Sequence, residues 1–358
     1  MSLDPLVLDP RDRAHEPALH AWLAFQHAAA WRPAQAVEAL RACGGDPVLA
    51  ARRFDRDAAT SAVVRSSGRA LARAGAVLVP YPSNAYPWRL SRLRDPAPVL
   101  SVIGDVSALR DPAVAIVGAR AATAYGRGVA RRVAGALAGA GLVIVSGLAR
   151  GIDAEAHQAA LAAGGRTVAV QACGPDQVYP RAHRGLAARI AAQGAIVSEL
   201  PPGAPPRPGH FPLRNRLISG MCATLVVVEA RERSGSLISV RHALEQGADV
   251  FAVPGPIDAP TSAGPNRLLR EGAWPLLGAA DVLDLLGMPA APAAPSRPAP
   301  ASPAARAVLD ALARAPATRD ELARALDRVP EVLALALLEL ELEGRIVEDR
   351  DARWRIVA

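Results

Sequence analysis

The sequence contains no lysine, because all 41 of its basic residues are arginines. A Walker A loop is therefore impossible, since that loop needs a lysine for the nucleotide phosphates. A Schiff base to pyridoxal phosphate and regulation by lysine acetylation are excluded for the same reason. The lack of lysine thus removes two large classes of enzyme from consideration.

Cysteine is also scarce, and long apolar runs are missing. Cys43, Cys173 and Cys222 lie far apart and form no spacing typical of metal ligands. We therefore expect reduced thiols in the cytoplasm and no metal site. The N-terminus carries early acids and lacks the apolar core of a signal peptide. The longest uncharged run, residues 133–149, contains four glycines and does not resemble a membrane span.

The chain has 358 residues, 51% of them hydrophobic, which is enough for two or three domains with apolar cores. Its formal net charge is +7, but the charge is uneven. Residues 113–287 have 17 arginines against 12 acidic residues, whereas residues 288–358 have 10 against 11. The central part is therefore the most basic, and the C-terminal part is slightly acidic.

Composition and periodicity divide the chain into four parts. Residues 1–75 predict a small helical domain, and residues 76–287 alternate strand and helix patterns. Residues 288–305 are an Ala/Pro stretch expected to form a semi-rigid linker. Residues 306–358 predict three helices and two short strands, the outline of a winged helix-turn-helix domain.

Six apolar segments in the central part predict buried strands. Because helical patterns separate them, they indicate an α/β fold with a doubly wound, mostly parallel sheet. In such a sheet ligands lie at the carboxyl ends of the strands. The six segments are residues 114–117, 142–145, 167–171, 195–197, 224–228 and 250–253.

The first strand ends in a turn suited to an anion. Gly118 and Gly126 allow close backbone approach, and the helix that follows offers free N–H groups. Arg120 adds a planar group that matches phosphate, with Thr123 and Tyr125 nearby. The alternative interpretation is a plain tight turn with a surface arginine.

The second strand ends in Ser146-Gly147, where a dinucleotide site would need an acid. The glycine spacing also differs from GxGxxG, so we expect no NAD and no other cofactor. Asp153 and His157 share a helix face, but no GxSxG nucleophile accompanies them. We interpret the pair as a helix cap and a buried histidine, and we assign no catalytic residue.

Residues 201–216 begin with five prolines, which predict an extended segment, and end in basic and aromatic residues. Phe211 could stack on a base, while Arg214 and Arg216, on either side of Asn215, could contact phosphates. The alternative is a buried phenylalanine with Arg214 or Arg216 paired to Glu199 or Glu229. Ser236 opens a further helix, either as another anion site or as its N-cap. Several such turns on one sheet edge suit a polyanion better than a small ligand.

The predicted third helix of the C-terminal domain, residues 330–343, has four glutamates and no arginine. A helix that reads duplex DNA should offer arginine or polar groups to phosphates and base edges. A duplex-binding regulator is therefore disfavoured, and we predict that this domain contacts protein.

An ordered set of motifs over residues 80–275 resembles the DNA-processing protein A (DprA/Smf) family. The set includes YPWRL at 86–90, IVGAR at 116–120, VSGLARGIDAEAH at 145–157, HFPLRNRLISG at 210–220 and VVEARERSGSLIS at 227–239. The resemblance implies an extended Rossmann-like fold that binds single-stranded DNA, forms a homodimer and loads a RecA-type recombinase during natural transformation. It also implies a SAM-like N-terminal domain, a C-terminal winged helix and no enzymatic activity.

The resemblance assigns roles to residues of these motifs. It implies that Arg120 contacts phosphate and that the motif with Phe211, Arg214 and Asn215 holds the strand. Residues expected to shape the pocket are Gly118, Tyr125, Gly126, Ser146 and Gly147. Two departures concern side chains near the strand. Ala119 stands where the family has a serine, and Arg207 stands near a position often occupied by lysine.

The sequence thus favours a recombination mediator that binds single-stranded DNA and protects it. The alternative is a nucleotide-processing enzyme on a Rossmann-like fold, similar to a phosphoribohydrolase. No PGGxGT phosphate loop is present to support that alternative.

Overall fold

The computed structural model describes residues 6–29, 32–54, 60–81, 83–289, 302–327, 329–343, 345–349 and 351–356. The chain divides into two compact units, Met1–Ala291 and Pro292–Ala358. None of the helices in these described ranges is long and apolar enough to cross a membrane.

A nine-stranded sheet with the order β1-β2-β6-β5-β4-β3-β7-β8-β9 forms the centre of the first unit. Going across the sheet in this order, all six neighbouring pairs from β6–β5 to β8–β9 are parallel, whereas β1–β2 and β2–β6 are antiparallel. The α/β fold with a mostly parallel sheet is confirmed. The strands are β1 Ala76–Pro80, β2 Val99–Gly104, β3 Ala113–Val117, β4 Val143–Ser146, β5 Thr167–Val170, β6 Ala195–Ser198, β7 Thr224–Val227, β8 Asp249–Ala252 and β9 Trp274–Pro275.

Helices cover both faces of the sheet. Successive residues of a strand point to opposite sides, so each strand packs against helices on both faces. Val114 and Ile116 pack on one side, and Ala115 and Val117 on the other. Each face is thus buried under its own apolar cluster, as a doubly wound fold requires. The helices are α5 Trp88–Ser91, α6 Ala124–Gly139, α7 Ile152–Ala162, α8 Arg184–Gln193, α9 His210–Gly220, α10 Ser236–Glu245, α11 Ala263–Arg270 and α12 Ala279–Leu285.

Four helices precede the sheet and pack against its β1–β2 edge. Leu23 and Phe25 are fully buried in one cluster with Leu78 of β1 and Val99 of β2. The helical content of the first 75 residues is thereby confirmed, and these helices share an apolar core with the sheet. Asp46 caps the helix that begins at Pro47, accepting hydrogen bonds from the N–H groups of its first turn. The helices are α1 Glu16–Ala29, α2 Pro33–Ala42, α3 Pro47–Ala51 and α4 Ser61–Ala74.

The second unit is a winged helix with its own core, which includes Leu322, Leu337 and Trp354. Thr318 and Glu321 form a capping box at the start of the helix Arg319–Leu326. The first helix begins at Pro303, inside the expected linker, because Ser302 caps it and proline suits the first helical position. Linker residues 290–301 lie outside the described ranges. The elements are α13 Pro303–Leu312, β10 Ala317–Thr318, α14 Arg319–Leu326, α15 Pro330–Leu342, β11 Ile346–Glu348 and β12 Arg353–Ile356.

Candidate nucleic-acid interface

A cavity of about 750 Å³ opens at the carboxyl ends of β3 and β7. Its walls come from the loop after β3, the start of α9 and the loop between β7 and α10. The cavity therefore lies at the edge of the sheet where a ligand was expected. We call this cleft the interface cavity. It is lined, among others, by Gly118, Arg120, Asp153, Tyr179, Phe211, Arg214, Asn215, Arg231, Arg233 and Ser234.

Arg120 and two aromatic rings form a cluster in this cavity. The guanidinium carbon of Arg120 lies 5.0 Å from the ring centroid of Phe211. The Tyr179 ring meets the same Phe211 ring edge-on, with centroids 5.7 Å apart. Arg120 and Tyr179 are exposed, and Phe211 is half-buried. The cluster thus offers a cation and aromatic surface to one ligand. Tyr179 was not among the residues predicted from the sequence to lie at the site.

Arg231 and Arg233 add two exposed cations from the loop after β7. These two arginines were not predicted as site residues, although they alternate with an acid in a loop at the carboxyl end of a predicted strand. The same loop corrects the expectation for Ser236, because α10 has Gly235 as its N-cap and Ser236 as its first residue. Arg207 is exposed between two prolines that line the cavity rim.

Arg214 lies at the base of the interface cavity and is buried. Its Nη1 donates to the carbonyl of Gly147 at 2.6 Å and to the carbonyl of Val170. Its Nε donates to Oδ1 of Asn215. Burial lowers the pKa of Arg214 to about 10, and the charge of Asp153 acts in the opposite direction. Arg214 therefore ties α9 to the ends of β4 and β5. This segment is helical from His210, so the extended conformation stops before it.

Arg216 points away from the interface cavity and is buried in an ion-pair network. It pairs with Glu199 and, through Nε, with Asp95 at 3.3 Å. Burial raises the pKa of Glu199, and the charge of Arg216 acts against that rise. The sequence left open whether Arg216 contacts phosphate or pairs with an acid, and in the structure it pairs with Glu199. Contact between Arg216 and phosphate would require breaking this pair.

Glu229 occupies the N-terminus of α6, which the sequence had suggested for an external anion. Its carboxylate accepts hydrogen bonds from the backbone N–H at 2.9 Å and from the hydroxyl of Thr123. Thr123 itself caps α6 by accepting from Gly126 N–H at 3.1 Å. A Cβ at Gly126 would lie 2.3 Å from the Glu229 carboxyl carbon, so only glycine fits. A carboxylate of the protein therefore occupies the place beside the start of α6.

The other predicted pocket residues are mostly structural in their contacts. Ser146 is buried and donates to the carbonyl of Ile116 at 2.6 Å. A Cβ at Gly118 would lie 2.6 Å from Ile152, and one at Gly147 would lie 2.5 Å from the Arg214 guanidinium. Tyr125 is half-exposed, and its hydroxyl donates to the carbonyl of Pro254 at 2.9 Å.

Asp153 and His157 have no arrangement suited to catalysis. Asp153 accepts from Gly147 N–H and Ala149 N–H, so it fixes the turn after β4 and leaves capping of α7 to Gly151. His157 is fully buried against the Thr167 hydroxyl at 2.7 Å, and burial lowers its pKa to about 3. The histidine is neutral at physiological pH. Within the described ranges, no group of acids, histidines and cysteines could hold a metal ion.

Comparison with known families decides what kind of protein has this cavity. Residues 77–287 match the family model of DNA recombination-mediator protein A, which is more than half of the chain. The chain belongs to the DNA recombination-mediator protein A family. Residues 291–350 match the DprA winged helix domain, which agrees with the fold of the second unit. As a family member, the protein is a DNA-processing recombination mediator.

Relatives of this protein match a little more than half of the chain. DNA processing protein DprA from Bacillus subtilis is 42% identical over 58% of this chain and 70% of its own length. Protein Smf from Escherichia coli is 47% identical over 55% of this chain, and the match spans about half (53%) of Smf.

Two solved structures resemble this one. DprA from Streptococcus pneumoniae has a TM-score of 0.66 at 33% identity, with 74% of this chain and 97% of that chain covered. DprA from Helicobacter pylori, whose structure concerns its single-stranded DNA binding mode, has a TM-score of 0.52 at 33% identity. That match covers 56% of this chain and 92% of the Helicobacter chain.

Proposed function

We propose that the interface cavity binds single-stranded DNA. The observation that carries this proposal is the exposed Arg120 guanidinium placed over the Phe211 ring in a cavity at the carboxyl ends of the strands. Unpaired bases expose their faces for stacking, and a guanidinium matches phosphate geometry. The single-stranded DNA binding of the Helicobacter pylori relative supports the same assignment.

The roles within the site divide into contact and positioning. Phe211, with Tyr179 at its edge, stacks a base, while Arg120, Arg231 and Arg233 pair with phosphates. Arg207 extends the positive rim, and Asn215 faces the bound strand. Arg214, Gly118, Gly126, Ser146 and Gly147 hold the loops in place. In this proposal Thr123 and Tyr125 support the loop after β3, and Arg216 acts only through the packing of α9.

The finer biological role is part of the proposal. The protein protects incoming single-stranded DNA and loads a RecA-type recombinase onto it during natural transformation, acting as a homodimer and without enzymatic activity. Membership of the recombination-mediator family supports this role. Exposed Ile257, Trp274 and Leu277 near the β8–β9 edge are candidates for the dimer surface. We place the protein in the cytoplasm, where its cysteines stay reduced.

The first prediction concerns strand preference. A fluorescent dT oligonucleotide of about 30 nucleotides should bind tightly and lose affinity steeply with salt, because phosphate contacts release counterions. The matching duplex should bind much more weakly. Anisotropy titrations of both at two salt concentrations measure this. Equal or better duplex binding contradicts the proposal, and binding of neither, with turnover of nucleoside monophosphates, would indicate the nucleotide-processing enzyme instead.

The second prediction concerns the winged helix. Ending the chain after Pro289 should leave affinity for the same oligonucleotide within about twofold, because the acidic α15 offers no cation to phosphate. On α15 the leucines Leu335 and Leu342 are exposed, and Glu331 is exposed one turn before Leu335; we expect this mixed apolar and acidic surface to contact protein. Loss of all DNA affinity in the shortened chain would show that the winged helix carries DNA binding.

A further inference from the structure

A second arginine-rich surface surrounds Trp88, far from the interface cavity. Trp88 begins α5 and is 56% exposed. It lines a cavity with Ala113 and Ala223, which lie at the amino ends of β3 and β7. The interface cavity lies at the carboxyl ends of those same strands. Trp88 and the interface cavity are therefore at opposite ends of these parallel strands.

Two guanidinium groups lie over the Trp88 ring. The guanidinium carbons of Arg89 and Arg92 are 5.4 Å and 5.8 Å from its centroid. Arg92 and Arg94 also line a cavity of about 850 Å³ that begins at Trp88 and reaches His242 and Gln246 on α10. We call Trp88, Arg89, Arg92 and Arg94 the Trp88 surface.

The charge of this surface is not neutralised by neighbouring acids. Among the described residues, the side chains of Arg89, Arg92 and Arg94 form no hydrogen bond or ion pair, and the Nε of Arg89 is buried without an acceptor. Two acids line the larger cavity, and Asp95 pairs with Arg216. Glu245 lies 3.7 Å from His242, and burial lowers the pKa of His242, so Glu245 keeps its negative charge at the α10 side of the cavity.

We propose that the Trp88 surface is a second contact for single-stranded DNA. A base stacks on the exposed indole, and the phosphates on either side of it pair with Arg92 and Arg94. A flat aromatic ring beside unpaired guanidinium groups is the combination that binds flexible strands without sequence preference. A duplex keeps its bases stacked inside and presents no free face to the indole.

Helix α9 connects the two contacts. Phe211 near its start lines the interface cavity, and Gly220 at its end lines the cavity beside Trp88. Eleven helical residues rise roughly 16 Å, so a strand that follows the surface from one end of α9 to the other must span at least that length. This inference rests on the proposed function, since one strand held by the interface cavity continues to the Trp88 surface.

The test compares a short and a long oligonucleotide on the full chain. An oligo-dT of about 6 nucleotides fills one contact, whereas one of about 30 reaches both. Trp88→Ala should weaken binding of the long strand by about tenfold or more and leave the short strand unchanged. Trp88→Phe should restore long-strand affinity, because it keeps an aromatic face.

The arginines give an independent readout. Arg92→Ser with Arg94→Ser should reduce the slope of log affinity against log salt by about 1.4 for the long strand, at about 0.7 per lost phosphate contact. The matched control is Arg69→Ser with Arg73→Ser, which removes two exposed arginines from α4. This control should leave the slope unchanged.

The outcomes separate the two proposals. If the wild-type protein binds neither oligonucleotide, the proposed function itself fails. If the wild type binds both and the Trp88 and Arg92/Arg94 variants bind the long strand equally well, only the Trp88 surface is overturned, and an acidic protein segment becomes its candidate partner. Equal losses on short and long strands also overturn it, because the short strand cannot reach both contacts.

Discussion

Arg216→Ala is expected to lower the free energy of unfolding by about 3–5 kcal/mol, because it leaves the buried Glu199 carboxylate without its partner. The side chains of Arg216 and Glu199 are 3% and 7% exposed, so water cannot replace the lost charge. Urea denaturation followed by circular dichroism measures the change. This loss would also weaken DNA binding indirectly, since α9 carries Phe211.

Two controls separate the buried charge from charge loss in general. Arg166→Ala breaks pairs with Asp105 and Asp111, whose side chains are 48% and 30% exposed. It should cost about 1 kcal/mol or less, as exposed ion pairs do. Arg216→Met with Glu199→Leu removes both buried charges and should recover most of the stability. A double variant as unstable as Arg216→Ala would show that the ion pair is not the cause.

Removing the aromatic and cationic contacts of the interface cavity should have the largest effect on DNA affinity. Phe211→Ala should cost about 1–3 kcal/mol for any sequence, because every base has a face to stack. Arg120→Ala should cost about 1.5–3 kcal/mol, the range of a hydrogen bond to a charged group. Anisotropy titration of a dT oligonucleotide measures both.

Because Arg120 lies over the Phe211 ring, the two effects should not add. The double variant should lose less affinity than the sum of the single losses. Phe211→Tyr should keep most of the affinity, and Arg184→Ala on α8 is a control for charge, since Arg184 is exposed and does not line the cavity. Wild-type affinity in both single variants would show that the DNA site lies elsewhere.

Much of the fold followed from the sequence because parallel strands are buried on both sides and read as continuous apolar runs. The six predicted strands match β3 to β8 within two residues at either end. The antiparallel β1 and β2 and the short β9 were not predicted, although the expected domain boundary fell at the first residue of β1. The N-terminal helices share an apolar cluster with β1 and β2, a contact that periodicity does not encode.

The site was harder to predict, because sequence does not say which partner a charged residue has. Arg120 and Phe211 were expected at the cavity and lie together there. Arg214 and Arg216 are both arginines and lie only two positions apart in the sequence. Arg214 lines the cavity, whereas Arg216 points away from the cavity and pairs with Glu199. Glu229 was only an alternative partner for arginine in the predictions, and it binds the N-terminus of α6 instead.

The Glu229 carboxylate at the N-terminus of α6 affects which cellular nucleotides can compete with DNA for the cavity. A free mononucleotide concentrates two negative charges on one terminal phosphate, and such a group fits best on a helix end with open N–H donors. Glu229 fills that place, and the exposed cations left to a ligand belong to three different loops: Arg120, Arg207, and Arg231 with Arg233. Cations that are separated in this way suit a chain of singly charged phosphates. We therefore expect free mononucleotides to compete poorly with single-stranded DNA for the proposed site.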